Sequence, residues 1–169
     1  MENNKKYHLF WNGPFSNWYP SNIIVEGVAY NCTEQHMMAE KAKMFGDKEM
    51  YQRIMMSNSP ADQKAYGKKV KDFNKIVWET SARDIVYKGN LCKFTQHADL
   101  KEYILGTGDD VIVEASPYDV IWGIGLYETD KRCLDPKQWK GLNWLGEVLM
   151  RVRDWIKKEQ NGEIINVNS

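Results

Sequence analysis

The sequence predicts a mostly helical α+β fold in which a single domain carries a small antiparallel β element. A chain of 169 residues lies in the size range of one compact domain and can bury about 70 % of its unfolded surface. Helix start and stop signals recur along the chain beside a few short strand patterns, and polar tails occupy residues 1–6 and 160–169. We therefore expect one domain over residues 1–169, with a core from about residue 7 to residue 158.

Short extended segments are predicted before and after the helical region. Residues 7–11 suit a strand, because the turn-forming sequence Asn-Gly-Pro follows at 12–14. Residues 23–30 alternate on both sides of Glu26 and Gly27, which predicts a small hairpin. Two later segments complete the extended regions: a strand at 111–113 and an irregular stretch with two glycines at 119–126.

Five helices are predicted from capping signals and periodicity. The first runs from about residue 32 to 45, because Asn31 followed by Glu34 has the spacing of an N-cap with an acidic N3 residue and Gly46 ends it. The second starts in the Ser-Pro-Ala-Asp motif at 59–62. The other three are expected at 74–89, at 98–105 and, from apolar residues at helical spacing, from 145 to 156.

Charge, hydropathy and cysteine content restrict the class of protein. The 23 basic and 23 acidic residues balance to a formal charge of zero, which argues against a dedicated nucleic-acid clamp and leaves local contact open. No apolar run approaches the roughly 18 residues of a membrane span, and the N-terminus lacks a signal-peptide apolar region. Three cysteines form an odd set without close pairing, as in reducing compartments. We expect a cytoplasmic protein without membrane contact.

The charges are nevertheless unevenly distributed. Residues 102–130 hold seven acidic residues and no Lys or Arg, whereas residues 64–75 hold five lysines and one acid. The two segments are either solvated surfaces of opposite charge or related to ligand binding. If the ligand carries a phosphate, basic residues outside the acidic segment must neutralise its charge.

Glu34 and Lys41 are the first candidate pair for chemistry. Seven residues return to within about 20° of the same helix face with about 10 Å of rise, so the two long side chains can converge on one ligand. Alternatively, Glu34 is a capping acid and Lys41 a solvated helix lysine.

Two further candidate groups contain tryptophans. Asp119 precedes Trp122 and two glycines, which would bring an acid, a stacking ring and permissive backbone to a ligand; a turn-forming Asp beside a buried Trp is the alternative. Trp78 and Arg83 share the predicted helix at 74–89, about 140° apart around its axis, with core packing as the alternative for Trp78. Metal-ligand pairs and nucleophilic triads are poorly supported, so no cofactor is expected.

The order of the motifs carries more information than any one of them. Five segments are similar, in sequence and in order, to the NADAR (YbiA-like) family: GPFSNWYP at 13–20, TEQHMMAEKA at 33–42, VEASP at 113–117, DVIWGIGL at 119–126 and GLNWLGEVLMRVR at 141–153. The match runs from about residue 10 to 155. His97-Ala98 and Trp144 depart from the usual pattern and bear on substrate fit and packing.

The resemblance implies a YbiA-like fold and a hydrolase of N-glycosyl bonds. Family members cleave phosphoribosylamino-pyrimidine intermediates of riboflavin synthesis, and others remove ADP-ribose from guanine. Carried over by motif, the implied catalytic residues are Glu34, Lys41 and Asp119. The implied substrate-binding residues are Ser16, Asn17, Trp78 and Trp122, with Arg83 added as a candidate from its helix.

These residue types suit cleavage of a ribosyl C1′–N bond. A carboxylate can stabilise oxocarbenium character at C1′ or activate water. A lysine amine can attack the ring-opened imine to form a Schiff base, which requires a neutral amine. The sequence leaves two roles open for Lys41. Either it forms the Schiff base, with Glu34 moving the proton, or it stays charged and binds phosphate.

Three functions therefore stand as expectations. The first is an N-glycosidase acting on small phosphoribosylamino-pyrimidines, with water as the other reactant. The second is a glycohydrolase that removes ADP-ribose from guanine in nucleotides or DNA, for which residues 64–75 are the evident basic footprint. The third is a non-catalytic ADP-ribose-binding module. The sequence leaves the oligomeric state open.

Overall fold

The computed structural model describes residues 6–163 and divides the chain into two units. One unit combines the residues up to 16 with those from 97 onward, and the other comprises residues 17–96. Both combine helices with a two-stranded sheet, which confirms the α+β class. The expectation of a single domain over the whole chain stays a prediction.

The unit of residues 17–96 contains the predicted hairpin. Strands β2 (Ile23–Val25) and β3 (Val28–Tyr30) pair antiparallel, with Ile23 opposite Tyr30. The two turn residues, Glu26 and Gly27, have φ values of 49° and 81°. Positive φ at both central positions is the type I′ pattern that fits the twist of adjacent strands.

Four helices make up the rest of this unit: α1 (Thr33–Met44), α2 (Lys48–Met56), α3 (Pro60–Lys68) and α4 (Lys75–Gln96). Helix α1 packs against the other three and against β3. Because it has neighbours all round, every residue from 33 to 39 is buried, including polar ones.

Two predictions for this unit need correction, and one helix was missed. The N-cap of α1 is Cys32 and not Asn31, whose side chain instead donates to the carbonyl of Ser57 at 2.9 Å. Helix α2 was not predicted. Helix α4 continues past Gly89, because that glycine serves close packing: a Cβ there would lie 2.6 Å from His36 Nδ1.

The other unit is built on a parallel strand pair. Strands β1 (Tyr7–Phe10) and β4 (Val111–Glu114) pair with Tyr7 opposite Val111, a pairing that the sequence patterns did not predict. Helices α5 (Ala98–Leu105) and α6 (Trp144–Gln160) confirm the last two predicted helices.

Helix α6 supplies much of this unit's core and packs against β4. Its apolar residues at helical spacing are buried: Leu145, Val148, Leu149, Val152 and Ile156. Gly146 allows the close approach, because a Cβ there would lie 2.1 Å from the carbonyl oxygen of Ile112. Among the described residues, no helix is both long and apolar enough to cross a membrane.

Candidate active site

The start of α1 brings a carboxylate into the interior of the unit of residues 17–96. Glu34 is only 5 % exposed, and its backbone N–H donates to the carbonyl of Asn17 at 3.0 Å. The first N–H groups of a helix have no partner within the helix, so a loop carbonyl that accepts from one of them fixes the loop to the helix start. Two predicted site residues, Glu34 and Asn17, are thereby brought together.

Asn17 is itself held by a buried polar cluster. Its Oδ1 accepts from Thr33 Oγ1 at 2.9 Å and from Asn90 Nδ2 at 3.1 Å. Asn90 also donates to the carbonyl of Val86, at 3.0 Å. Because α1 and α4 both contribute donors, the position of Asn17 is defined by two helices.

Lys41 lies about two helical turns after Glu34 on α1, and its amine packs against two aromatic rings. Its Nζ is 4.1 Å from the centroid of Phe73 and 5.9 Å from that of Trp78, which is 8 % exposed. Burial lowers the pKa of Lys41; Glu34 opposes this shift and Lys68 adds to it. The structure thus brings the predicted residues Lys41 and Trp78 into contact and couples Lys41 electrostatically to Glu34. Phe73 was not predicted.

A second lysine of this unit was also missed. Lys93 on α4 is fully buried, and its Nζ lies 5.3 Å from the ring centroids of Tyr19 and Phe94. Burial lowers its pKa to about 7. The sequence offered no signal for this, because a lysine among mixed residues in a helix is typical of a solvated face.

Asp119 and Trp122 belong to the other unit. Asp119 Oδ1 accepts from the backbone N–H of Ile121 at 2.9 Å and from that of Trp122 at 2.7 Å, so this carboxylate shapes the turn. The half-buried Trp122 packs edge-on against Trp144, with ring centroids 5.6 Å apart. Asp119 therefore forms the turn, as the alternative interpretation predicted, and its catalytic role stays a prediction.

Two substrate-binding candidates remain. The backbone N–H of Ser16 closes a turn by donating to Gly13 at 2.9 Å. Arg83 lies exposed on α4. Ser16, Asp119 and Trp122 fall in one unit and Glu34, Lys41, Asn17, Trp78 and Arg83 in the other, so a cleft shared by all of them stays a prediction. Within residues 6–163, no group of three His, Cys, Asp or Glu side chains is placed to hold a metal ion.

Comparison with known proteins defines the fold class first. The NMR structure of the Escherichia coli protein YbiA superposes with a TM-score of 0.77 at 26 % identity, covering 98 % of this chain and 92 % of that one. The molecule therefore has the YbiA fold. The NADAR domain model matches residues 7–157, and the chain belongs to this family.

Two relatives bear on the activity. A protein of Acanthamoeba polyphaga mimivirus, named N-glycosidase R617, is 41 % identical over 145 residues, which cover 83 % of this chain and 85 % of the relative. The chloroplastic riboflavin biosynthesis protein PYRR of Zea mays is 30 % identical over 164 residues, which cover 90 % of this chain and 24 % of that protein.

Proposed function

We propose that the protein, an N-glycosidase, hydrolyses the C1′–N bond of phosphoribosylamino-pyrimidines of the kind formed in riboflavin synthesis. The observation that carries this proposal is the pair on α1: a buried Glu34 carboxylate electrostatically coupled to the half-buried Lys41 amine. The names of the mimivirus and maize relatives support the bond type and the substrate class, respectively.

Glu34 is the residue proposed to stabilise positive charge at C1′. As the bond to nitrogen lengthens, the ribosyl carbon gains oxocarbenium character, and a nearby carboxylate lowers the energy of that state. Burial strengthens the effect, because fewer water molecules screen the carboxylate. In the overall reaction, water adds OH to C1′ and a proton to the departing nitrogen, giving ribose 5-phosphate and the free aminopyrimidine.

In an alternative route, Lys41 is proposed to act as the nucleophile on the ring-opened form of the substrate, and no oxocarbenium ion forms. Its neutral amine adds to C1′ of the imine, and the resulting diamine expels the aminopyrimidine, whose nitrogen takes a proton. Water then hydrolyses the Lys41 Schiff base to ribose 5-phosphate and the free amine. The lowered pKa of Lys41 supports this role, because burial and Lys68 both increase the neutral fraction. In this scheme Glu34 moves the proton.

Incubation with the phosphoribosylamino-pyrimidine, followed by mass spectrometry, tests both parts. We expect ribose 5-phosphate from the wild type, and borohydride trapping should add one pentose phosphate to the peptide that contains Lys41. Lys41→Met should abolish trapping and turnover, whereas Lys43→Met, an exposed neighbour on the same helix, should preserve both. Turnover without trapping would assign Lys41 to phosphate binding. Absence of product would overturn the proposed substrate.

A second candidate substrate is ADP-ribosylated guanine in a nucleotide or in DNA. It is favoured by one surface feature: Lys64 Nζ lies 5.9 Å from the ring of Trp18, which is 43 % exposed, within reach of the lysine-rich segment 64–75. Exposed rings beside lysines are typical of surfaces that contact single-stranded nucleic acid.

Salt dependence separates the two substrates. Cleavage of ADP-ribosylated DNA should fall steeply between low and physiological salt, because phosphate contacts release counterions, and Lys64→Gln should reduce that slope. Cleavage of the small substrate should change little under the same conditions. Asp119, Trp122, Ser16, Asn17, Trp78 and Arg83 keep the roles that the resemblance and the helix position imply, as predictions for either substrate.

A further inference from the structure

Phe73 covers the amine of Lys41 while remaining open to solvent. The Lys41 Nζ lies 4.1 Å from the ring centroid, and the ring of Phe45 packs edge-on at 5.4 Å and 70°. Phe73 is nevertheless 43 % exposed. Part of a large apolar ring is therefore exposed to solvent directly beside the amine proposed to react, where a ligand would meet it.

Phe73 lies in a short segment, residues 70–74, that is anchored at both ends. Val70 is buried, Asp72 has a φ of 54°, and Asn74 Oδ1 accepts from the N–H of Val77 at 3.1 Å at the start of α4. Because both ends of the segment are anchored, the ring is held over Lys41 by the fold.

Asp47 anchors the middle of this segment. It is 7 % exposed; its Oδ1 accepts from the N–H of Met50 at 3.1 Å and caps α2, while its Oδ2 accepts from the N–H of Lys71 at 2.9 Å. These two backbone hydrogen bonds lower the pKa of Asp47, so the carboxylate is charged and accepts strongly at neutral pH. One side chain thus joins α2 to the backbone two residues before Phe73.

We propose that Phe73 is the aromatic wall against which the flat aglycone of the substrate packs beside Lys41, and that Asp47 is a positioning residue for that wall. This inference rests on the proposed function, because it takes Lys41 as the group at the reacting carbon. A pyrimidine ring packed against the solvent-exposed part of Phe73 would contact this aromatic side chain, while the pentose phosphate makes its contacts elsewhere. The wall therefore recognises the heterocycle and not the sugar.

Binding of the two reaction products separates these contributions without requiring turnover. Calorimetry should measure the affinities of the free aminopyrimidine and of ribose 5-phosphate for each variant. In Phe73→Ala and Phe73→Leu, aminopyrimidine affinity should fall about fivefold or more, as expected for loss of one stacking contact. Affinity for ribose 5-phosphate should stay within about twofold. Phe73→Tyr should restore aminopyrimidine binding, and Ile76→Ala, at a nearby residue that is 77 % exposed, should behave as wild type.

Asp47→Asn tests the positioning role. The side-chain oxygen of an asparagine can still accept from the N–H of Met50. Its NH2 group would then face the N–H of Lys71, and because both groups are donors, the hydrogen bond that anchors the Phe73 segment is lost. Aminopyrimidine affinity should fall in this variant, and combining it with Phe73→Ala should add little further loss. The same wild-type protein assayed for turnover tests the proposed function independently.

The outcomes are distinct. Weakened aminopyrimidine binding in the Phe73 variants supports the wall even if the wild type releases no product, a result that would overturn only the proposed reaction. Equal aminopyrimidine affinity in wild type, Phe73→Ala and Phe73→Leu overturns the wall. Full additivity of Asp47→Asn and Phe73→Ala, or an equal loss of ribose 5-phosphate binding, overturns the positioning role.

Discussion

Helices α1 and α6 both contribute buried residues to their own units, but they bury different kinds of side chain. The buried residues of α6 are mainly aliphatic, and its buried Arg153 donates to Thr107 Oγ1 and to the carbonyl of Asp110 at 2.9 and 2.8 Å. Helix α1 instead buries Glu34, Gln35 and His36 in consecutive positions.

The two helices differ in what their buried side chains cost. Aliphatic burial on one stripe stabilises the fold, but the buried Arg153 of α6 is satisfied only in part, because its Nε has no hydrogen-bond partner among the described residues. Consecutive polar residues in the interior cost free energy unless each finds a partner. Gln35 does, donating to the carbonyl of Ile54 at 3.0 Å, but His36 Nδ1 has no hydrogen-bond partner among the described residues. Each helix therefore leaves one buried nitrogen without a partner among those residues, and α1 differs in burying more polar side chains than α6 does.

The largest expected effect is on catalysis by α1. Glu34→Gln keeps the side-chain volume and removes the charge, so kcat/KM should fall about 10²- to 10³-fold, the range for loss of one electrostatic contact to a transition state. Product release measured beside Glu40→Gln, a half-exposed acid on the same helix, checks this. Unchanged turnover would contradict the carboxylate role.

The corresponding change in α6 should affect stability and not activity. Leu149→Ala removes a fully buried side chain and should lower the free energy of unfolding by about 2 to 5 kcal/mol. The kcat/KM per folded molecule should stay within about twofold. Urea denaturation and turnover on the same samples check this, and a large loss of turnover in the folded protein would remove the contrast between the two helices.

The polar burial in α1 should also make stability depend on pH. Burial lowers the pKa of His36 to about 4, below its ordinary value of 6.5, so the folded state keeps the ring neutral and unfolding takes up a proton between those values. Stability should be complete above pH 6.5 and fall, by on the order of 3 kcal/mol from this group, as the pH decreases through 4.

The urea concentration at the midpoint of unfolding, measured from pH 4 to 7, should depend less on pH in His36→Gln than in the wild type. His97→Gln, a histidine outside α1, serves as the matched control and should retain the full dependence. Equal pH dependence in all three proteins would show that His36 is not the responsible group.

The smallest expected effect concerns Trp122, which contacts the start of α6. The carbonyl of Trp122 accepts from the N–H of Leu145, at 3.1 Å, and its ring packs on Trp144. If this ring also contacts substrate, the aminopyrimidine should quench tryptophan fluorescence, and Trp122→Ala should remove most of the change. Unaltered quenching in that variant would assign Trp122 to packing beside α6 alone.

The sequence predicted those elements whose signals are local. The apolar spacing of α6, the Ser59 cap of α3 and the Glu26-Gly27 turn all appear as predicted. Helix α2 was missed, although Asp47 caps it and its buried residues Met50 and Ile54 have helical spacing. The pairing of β1 with β4 joins segments about a hundred residues apart, and no local pattern encodes such a register.

Prediction of the candidate site had the same limits. Glu34 and Lys41 were found because a fixed spacing and a family motif both point to them. Phe73 and Lys93 were not, because the first lies in a polar, lysine-rich segment and the second in a helix where lysines are normally solvated. Their positions depend on contacts made by the folded chain, such as the hydrogen bond from Lys71 to Asp47.

The burial of Lys93 has a consequence for the charge of the whole molecule. The formal charge of zero counts every lysine as protonated. With a pKa of about 7, Lys93 holds its proton only part of the time at neutral pH in the folded protein, whereas in the unfolded chain it is fully charged. This group therefore gives the native protein a lower isoelectric point than its own denatured chain, and isoelectric focusing with and without urea would register folding as a shift in band position.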